Sequence, residues 1–134
     1  MYLLDTDIII YSLNGDEQVI NNISFYRNEP KAISVVTYGE LIYGAQKSTR
    51  KINNLAKVHS LKEIFPIIEI TPSVMDTFGE LKANLEKQGA LIDDFDLLIA
   101  STAISYGYTL VTNNEKHFKR IVDLDIVNWK KKLN

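Results

Sequence analysis

The stretch MYLLDTDIII, residues 1–10, decides the fold of this chain. Its first four residues are an apolar run typical of a strand, and the run from Thr6 to Ile10 is typical of a helix start. Asp5 lies at the junction. Ligands and catalytic groups of open α/β folds gather at the carboxyl edge of the sheet, so a carboxylate at this position is a candidate functional group. A helix cap is the alternative role for Asp5.

Strand-like and helix-like segments alternate along the rest of the chain. The predicted strands are residues 2–5, 31–35, 66–70, 108–112 and 126–129. Apolar residues at helical spacing predict helices at about 6–13, 17–26, 37–48, 52–64, 72–88, 95–106 and 114–120. Thr37 and Glu40 have the spacing of a capping box for the third of these helices, and Gly107 marks the end of the sixth. Strands separated by helices indicate βαβ units and a mostly parallel sheet.

Composition narrows the class of protein. A chain of 134 residues with 46% hydrophobic residues fits one domain, residues 1–134, with a core of ordinary size. It contains no cysteine, which excludes disulfides, a thiolate metal site and a Cys nucleophile, and makes a reducing cytoplasm the expected setting. We expect neither a signal peptide nor a membrane span. The net charge of −2 argues against nucleic-acid binding through bulk positive charge, but it permits a nuclease whose acidic cluster binds cations.

Four polar positions are expected to meet at the carboxyl edge of the sheet. They are Asp5, Glu40, Asp96 and the turn Thr112-Asn113-Asn114. Carboxylates packed together raise one another's pKa, so such a cluster normally shares protons or binds a divalent cation. Ligands that are all oxygen favour Mg²⁺ or Mn²⁺ over zinc. The usual chemistry of such a site is phosphoryl transfer with a metal-activated water.

The acidic residues also have structural interpretations. Glu40 is the third helical residue expected of a capping box, and acidic residues such as Asp93 and Asp94 favour a helix start. Asp96 differs, because helical spacing places it on the apolar stripe of its own helix, where a carboxylate needs a partner. Asp7 fits a role in ordering the neighbouring loop better than a role as a metal ligand.

The remaining polar and aromatic side chains give weaker signals. His59 lies within a structural helix, so it is not expected to bind metal. His117 is expected to be exposed beside Lys116, Lys119 and Arg120, in a patch that contacts phosphate or is simply solvated. The tyrosines and phenylalanines fall mostly on core stripes and predict no stacking platform for bases.

Four segments together resemble a known family, the PIN domain, and specifically its VapC-type toxins of bacterial toxin–antitoxin pairs. They are residues 3–11 (LLDTDIIIY), 34–45 (SVVTYGELIYGA), 96–100 (DLLIA) and 109–114 (TLVTNN). The similarity spans essentially the whole chain in the same order, down to a closing segment at 124–129. It implies a three-layer α/β fold with a parallel five-stranded sheet in the order 3-2-1-4-5, flanked by helices. It also implies a small metal-dependent endoribonuclease that arrests translation, and usually a homodimer.

The resemblance also implies roles for individual residues. Asp5, Glu40 and Asp96 correspond to the family's acidic metal-site residues, and Thr112 to its polar residue beside that site. The fourth position, often Asp, is Asn114 here and brings no charge, which leaves the number of metal ions open. Glu115 is the adjacent carboxylate that would compensate. The family implies an antitoxin partner whose C-terminal segment wraps the toxin and inserts a basic side chain into the acidic crevice.

Two other functions remain open from the sequence. Asp5-Thr6-Asp7 after an apolar strand also resembles the nucleophile motif of haloacid-dehalogenase-type phosphatases, although residues 109–114 lack the paired acids of that class. A PIN-like module that binds partners or regulates DNA without cleaving RNA is the second alternative. Metal-dependent RNA cleavage would distinguish the three.

Overall fold

The computed structural model describes residues 1–133 and contains a five-stranded parallel sheet. The strands are β1 (Tyr2–Leu4), β2 (Lys31–Ser34), β3 (Ile67–Ile68), β4 (Thr109–Val111) and β5 (Ile126–Val127). Their order is β3-β2-β1-β4-β5 and every neighbouring pair is parallel, which confirms the predicted topology. The strand order changes direction at β1, so the crevice beyond the ends of β1 and β4 is where a ligand is expected.

Seven helices connect the strands. They are α1 (Thr6–Leu13), α2 (Glu17–Phe25), α3 (Val35–Gln46), α4 (Lys51–Ile64), α5 (Pro72–Lys87), α6 (Asp94–Tyr106) and α7 (Glu115–Phe118). The capping box predicted for the third helix is wrong. That helix begins at Val35, two residues earlier than expected, because the Ser34 hydroxyl accepts a hydrogen bond from the backbone N–H of Val36 at 3.0 Å. Thr37 and Glu40 therefore lie inside the helix, where their side chains are available for other contacts.

Helices cover both faces of the sheet because each strand alternates its side chains. Leu3, Ala32 and Leu110 face a core formed with α5, α6 and α7. Their neighbours Leu4, Ile33 and Val111 face a second core formed with α1 to α4. Both faces of the strands are thus apolar, as expected for a parallel sheet between two helical layers. The result is the predicted three-layer arrangement.

Two features of the backbone determine how the chain enters and leaves β4 beside β1. The N–H of Asp5 donates to the carbonyl of Val111 at 2.9 Å, which extends the pairing of β1 and β4 up to the candidate site. Gly107 ends α6 in the left-handed conformation with φ of 70°, as the sequence predicted, and directs the chain back into β4.

Two sequence-based expectations concern the chain as a whole: a single domain and no membrane span. The prediction of one domain over residues 1–134 stays a prediction, and its last residue, Asn134, lies outside the described residues. Within residues 1–133, no helix is both long and apolar enough to span a membrane.

Candidate active site

Asp5 closes β1 and caps α1, which places its carboxylate at the carboxyl edge of the sheet. Oδ1 accepts a hydrogen bond from the backbone N–H of Thr6 at 2.8 Å, and Oδ2 accepts one from the hydroxyl of Thr112 at 2.7 Å. The residue is only 5% exposed. The capping role and the candidate functional position therefore coincide in one side chain whose orientation is fixed from both sides.

Glu40 reaches the same edge from the second turn of α3. Its Oε1 accepts a hydrogen bond from the Thr6 hydroxyl at 2.7 Å, and that hydroxyl also lies 3.1 Å from the hydroxyl of Thr37. Thr37 is fully buried, so the small polar group formed by these three side chains ties α1 to α3. Thr6 contacts both candidate acids, Asp5 through its backbone N–H and Glu40 through its side chain.

The three acidic residues at the start of α6 separate into different roles. Asp93 is the N-cap and accepts from the backbone N–H of Phe95 at 3.1 Å. Asp94 forms a surface ion pair with Lys82 at 3.0 Å. Asp96 is half-buried, with Oδ2 at 3.9 Å from Nδ1 of His117. Asp96, which the sequence analysis preferred on helical spacing, is the one of these three residues that faces the crevice.

Asp7 orders the neighbouring loop, as the sequence suggested. Its Oδ2 accepts a hydrogen bond from the backbone N–H of Asn113 at 3.0 Å, which joins the first turn of α1 to the turn after β4. Its other oxygen, Oδ1, is buried and has no hydrogen-bond partner among residues 1–133. A buried carboxylate oxygen without a donor is costly, so this atom marks a place where a cation or water would be stabilising.

Thr112 and Asn114 organise the turn after β4. The hydroxyl of Thr112 donates to Asp5 and accepts from the backbone N–H of Asn114 at 3.0 Å, and Thr112 is fully buried. It therefore positions Asp5 and does not face the crevice directly. The side chain of Asn114 pairs with His117, with Nδ2 at 3.0 Å from Nδ1. The expected fourth position of the site is thus an uncharged amide that contacts the imidazole of His117 beside Asp96.

Glu115 does not supply the missing charge. Its Oε2 accepts from Nδ2 of Asn128 at 3.0 Å and pairs with the ammonium of Lys131 at 2.6 Å. The same Nδ2 of Asn128 donates to Oδ1 of Asn113 at 3.1 Å. Asn128 is nearly buried, so these contacts attach the segment after β5 firmly to the turn that carries Asn114.

The carboxylates of Asp5, Asp7, Glu40 and Asp96 lie close enough together to affect the pKa values of Asp5, Asp7 and Asp96. Burial raises the pKa of Asp5 to about 7, and the charge of Asp7 is the second cause. Burial also raises the pKa of Asp96 to about 6, followed by the charge of Asp5. Glu40 contributes to both shifts, and the pKa of Asp7 is raised chiefly by burial. The structure therefore concentrates negative charge that proteins normally neutralise with protons or a cation.

The donor set suits a hard divalent cation that keeps part of its water shell. All candidate ligands are oxygen atoms, which favours Mg²⁺ or Mn²⁺. Within residues 1–133, no three Asp, Glu or His side chains are placed so that they could hold one ion together. That finding fits Mg²⁺, which usually retains several waters and binds through one or two carboxylates. The unpartnered Oδ1 of Asp7 and the raised pKa values of Asp5 and Asp96 point to the same kind of occupant.

The sequence missed three residues of this site. Thr6 was treated only as part of a helix, although its position one residue after a strand end was a signal for it. His117 was expected to be exposed beside three basic residues; its side chain is 45% exposed, but it also contacts Asn114 and lies 3.9 Å from Asp96. Asn128 lies 15 residues from Asn113 along the chain, and no motif joins them. His59 is exposed on α4, in agreement with its predicted exclusion from the site.

Comparison with known proteins shows the family of this chain. The PIN domain family profile matches residues 2–124. A relative from Rickettsia felis, "Ribonuclease VapC2", is 41% identical over 133 residues, which cover 98% of this chain and 99% of the relative. A relative from Shigella flexneri, named "tRNA(fMet)-specific endonuclease VapC", is 33% identical and covers 96% of this chain and 97% of its own.

Solved structures give the same result. A chain in the crystal structure of VapBC2 from Rickettsia felis bound to a DNA fragment from their promoter matches this fold with a TM-score of 0.90. The two chains are 39% identical, and the match covers 96% of this chain and 98% of that one. Fold and site define a parallel α/β protein with an acidic crevice. The chain belongs to the PIN domain family, among its VapC-type ribonucleases. The phosphatase alternative is therefore wrong. PIN-domain ribonucleases generally depend on a divalent metal.

Proposed function

We propose that the acidic crevice cleaves RNA phosphodiesters with Mg²⁺ or Mn²⁺ bound at Asp5, Glu40 and Asp96, by one or two of these carboxylates directly and by the others through water. The observation that carries this proposal is the convergence of the three carboxylates from β1, α3 and α6 at one edge of the sheet. Two of them are oriented by hydroxyl groups, Asp5 by Thr112 and Glu40 by Thr6. When bound, a divalent cation lowers the pKa of water and neutralises charge on a phosphate.

The remaining residues prepare the crevice for a phosphodiester. Thr112 and Thr6 hold the carboxylates in place before substrate arrives, so little reorganisation is needed during the reaction. Asn114 donates to Nδ1 of His117 in the tautomer that leaves the Nε2–H of the ring free. We assign this pair the task of donating hydrogen bonds to a non-bridging phosphate oxygen beside Asp96. Asp7 keeps the turn at Asn113 in register with α1.

Cleavage by the purified chain tests the proposal. Discrete cuts in total bacterial RNA should appear with Mg²⁺ or Mn²⁺ and disappear with a chelator and in Asp96→Asn. Asp94→Asn is the matched control, because Asp94 lies on the same helix but pairs with Lys82 at the surface. Equal cleavage by Asp96→Asn and the unchanged protein would remove Asp96 from the mechanism. Intact RNA under all metal conditions would favour the non-catalytic binding module.

Transfer RNA is the first substrate to test. The Shigella flexneri relative is named a tRNA(fMet)-specific endonuclease, and it is 33% identical to this chain over 129 residues. Cleavage of a transfer RNA would arrest translation in the cytoplasm, which is the location we propose. Sequencing the 5′ ends of the fragments would identify the RNA and the cleaved bond together.

An antitoxin is the proposed protein partner. A groove of about 230 Å³ lies between α1, α3 and α4, and its lining includes Leu13, Leu41 and Val58 together with Glu40 of the candidate site. A partner segment lying in this groove would bring a basic side chain to the acidic crevice. Suppression of cleavage by the co-expressed neighbouring gene product, and its loss in a variant lacking that basic side chain, would test this. The homodimer implied by the family stays a prediction.

A further inference from the structure

A second cavity opens from the acidic crevice and has a different lining. Its volume is about 780 Å³, and Thr6 and Glu40 of the candidate active site form part of its wall. Tyr43 on α3 and Phe95 on α6 also line this cavity. Both rings are exposed to solvent, Tyr43 by 65% and Phe95 by 54%. Two exposed aromatic rings thus lie next to the place where a phosphodiester would be cleaved, whereas the sequence predicted no stacking platform for bases.

Lys47 adds a positive charge to this cavity. It lines the wall one helical turn beyond Tyr43, and its ammonium group lies over one face of the Tyr43 ring, 4.8 Å from the ring centre. Within residues 1–133 it forms no salt bridge, so its charge is available to a ligand. An aromatic ring with an adjacent ammonium group is the combination that binds a base and its flanking phosphate.

Two glycines in the middle of α3 also favour a ligand here. Gly39 and Gly44 line the cavity, and a Cβ atom at either position would meet no other atom within 4 Å. Packing therefore does not require glycine, although glycine inside a helix costs about 1 kcal/mol relative to alanine. The absence of side chains at these positions keeps the cavity floor open between the catalytic Glu40 and the two rings.

We propose that this cavity binds one unpaired nucleobase of the RNA, next to the cleaved phosphodiester. The base stacks on Tyr43 and Phe95, and Lys47 contacts the phosphate on its far side. This inference rests on the proposed function, because the substrate must be RNA. It adds that the cut lies beside a base that is unpaired or can be flipped out, since a paired base cannot enter the cavity.

Binding of a fluorescent RNA tests the site separately from cleavage. The probe is a single-stranded RNA hexamer with one 2-aminopurine, titrated against Asp96→Asn, which should bind without cutting. Stacking should quench the fluorescence, and Tyr43→Leu should weaken binding about tenfold, the effect of losing one base–aromatic stack. The matched control is Phe25→Leu, since Phe25 is an exposed aromatic residue on α2 beside Tyr26, away from the cavity.

Two substitutions of glycine, Gly39→Leu and its control Gly79→Leu, distinguish the loss of RNA binding from the destabilisation of the fold. Gly39→Leu should fill the cavity floor, weaken binding about tenfold and leave thermal stability equal or higher, because leucine is the better helix former. Gly79→Leu makes the same change on α5, where space is also open, and should leave binding unchanged. A destabilised Gly39→Leu with normal binding would contradict the proposal.

The remaining outcomes are also decisive. Absent quenching by the parent protein, or equal affinity of Tyr43→Leu, would overturn the nucleobase site. So would conversion of a dimer to a monomer by Tyr43→Leu in sedimentation, because the ring would then belong to an interface between copies. If the unchanged chain cuts RNA and both Tyr43→Leu and Gly39→Leu cut it with the same kcat/KM, only the base site fails. If no RNA is cut although the probe is bound and quenched, only the proposed function fails.

Discussion

Replacing Asp96 by Asn should stabilise the metal-free protein at neutral pH while abolishing cleavage. The folded protein raises the pKa of Asp96 to about 6 from an ordinary 3.8, so its ionised form is less favourable folded than unfolded. The free energy of unfolding is therefore not reduced by Asp96 below about pH 4. It decreases as the pH rises towards 6 and stays at the lower value above pH 6. Asparagine has the same shape without the charge, so it removes this pH-dependent loss.

The size of the effect follows from the pKa difference. At about 1.36 kcal/mol for each step of pKa, the rise from 3.8 to about 6 corresponds to about 3 kcal/mol. The side chain is 25% exposed, so water screens part of the interaction, and we expect about half of that value. A gain of ~1.5 kcal/mol would raise Tm by about 5 °C in a domain of this size.

Thermal and urea denaturation in the presence of a chelator measure this directly. Asp96→Asn should be more stable than the unchanged protein at pH 7.5 and equally stable at pH 4, whereas Asp94→Asn should follow the unchanged protein at both. Added Mg²⁺ should stabilise the unchanged protein more than Asp96→Asn. If Asp96→Asn were less stable than the unchanged protein by the same amount at both pH values, the electrostatic reasoning would be refuted.

Three other substitutions test the surrounding contacts. Thr6→Val should lower kcat about tenfold, because it removes the hydrogen bond that orients Glu40, whereas the control Thr6→Ser keeps the hydroxyl. An unchanged kcat in Thr6→Val would show that Glu40 does not need this hydrogen bond. Asn114→Asp should tighten Mn²⁺ binding roughly tenfold in calorimetric titration, because it adds a carboxylate beside Asp96. Equal affinity would show that residue 114 does not contact the metal. Asn128→Ala should cost about 1–3 kcal/mol in urea unfolding, since it leaves buried partners unpaired, and a neutral effect would contradict its anchoring role.

The sequence predicted the parts of the site that depend on backbone topology. An apolar strand followed by Asp5 places that carboxylate at the sheet edge, because parallel strands end on the same side. The choice of Asp96 over Asp93 and Asp94 followed from helical spacing, and the structure places the other two in a cap and a surface ion pair. These inferences needed only local patterns and the order of the elements.

Contacts between side chains distant in sequence could not be predicted in the same way. The sequence predicted Thr37 as the cap of α3, but the hydroxyl of Ser34 caps this helix, because β2 ends one residue earlier than the apolar run indicated. The hydrogen bond between Thr6 and Glu40 spans 34 residues and depends on how α1 packs on α3. His117 looked like part of a basic surface because spacing does not show which way a four-residue helix turns.

The attachment of the chain's closing segment to the turn after β4 has a consequence for synthesis. Asn128 and Lys131 hold that turn, and Trp129 is fully buried between the rings of Tyr2 and Tyr26. A growing chain in which residues 128–131 have not left the ribosome lacks these anchors, even though all the acidic residues have already been made. Such a chain should cut RNA poorly until residues 128–131 have emerged and anchored the turn after β4.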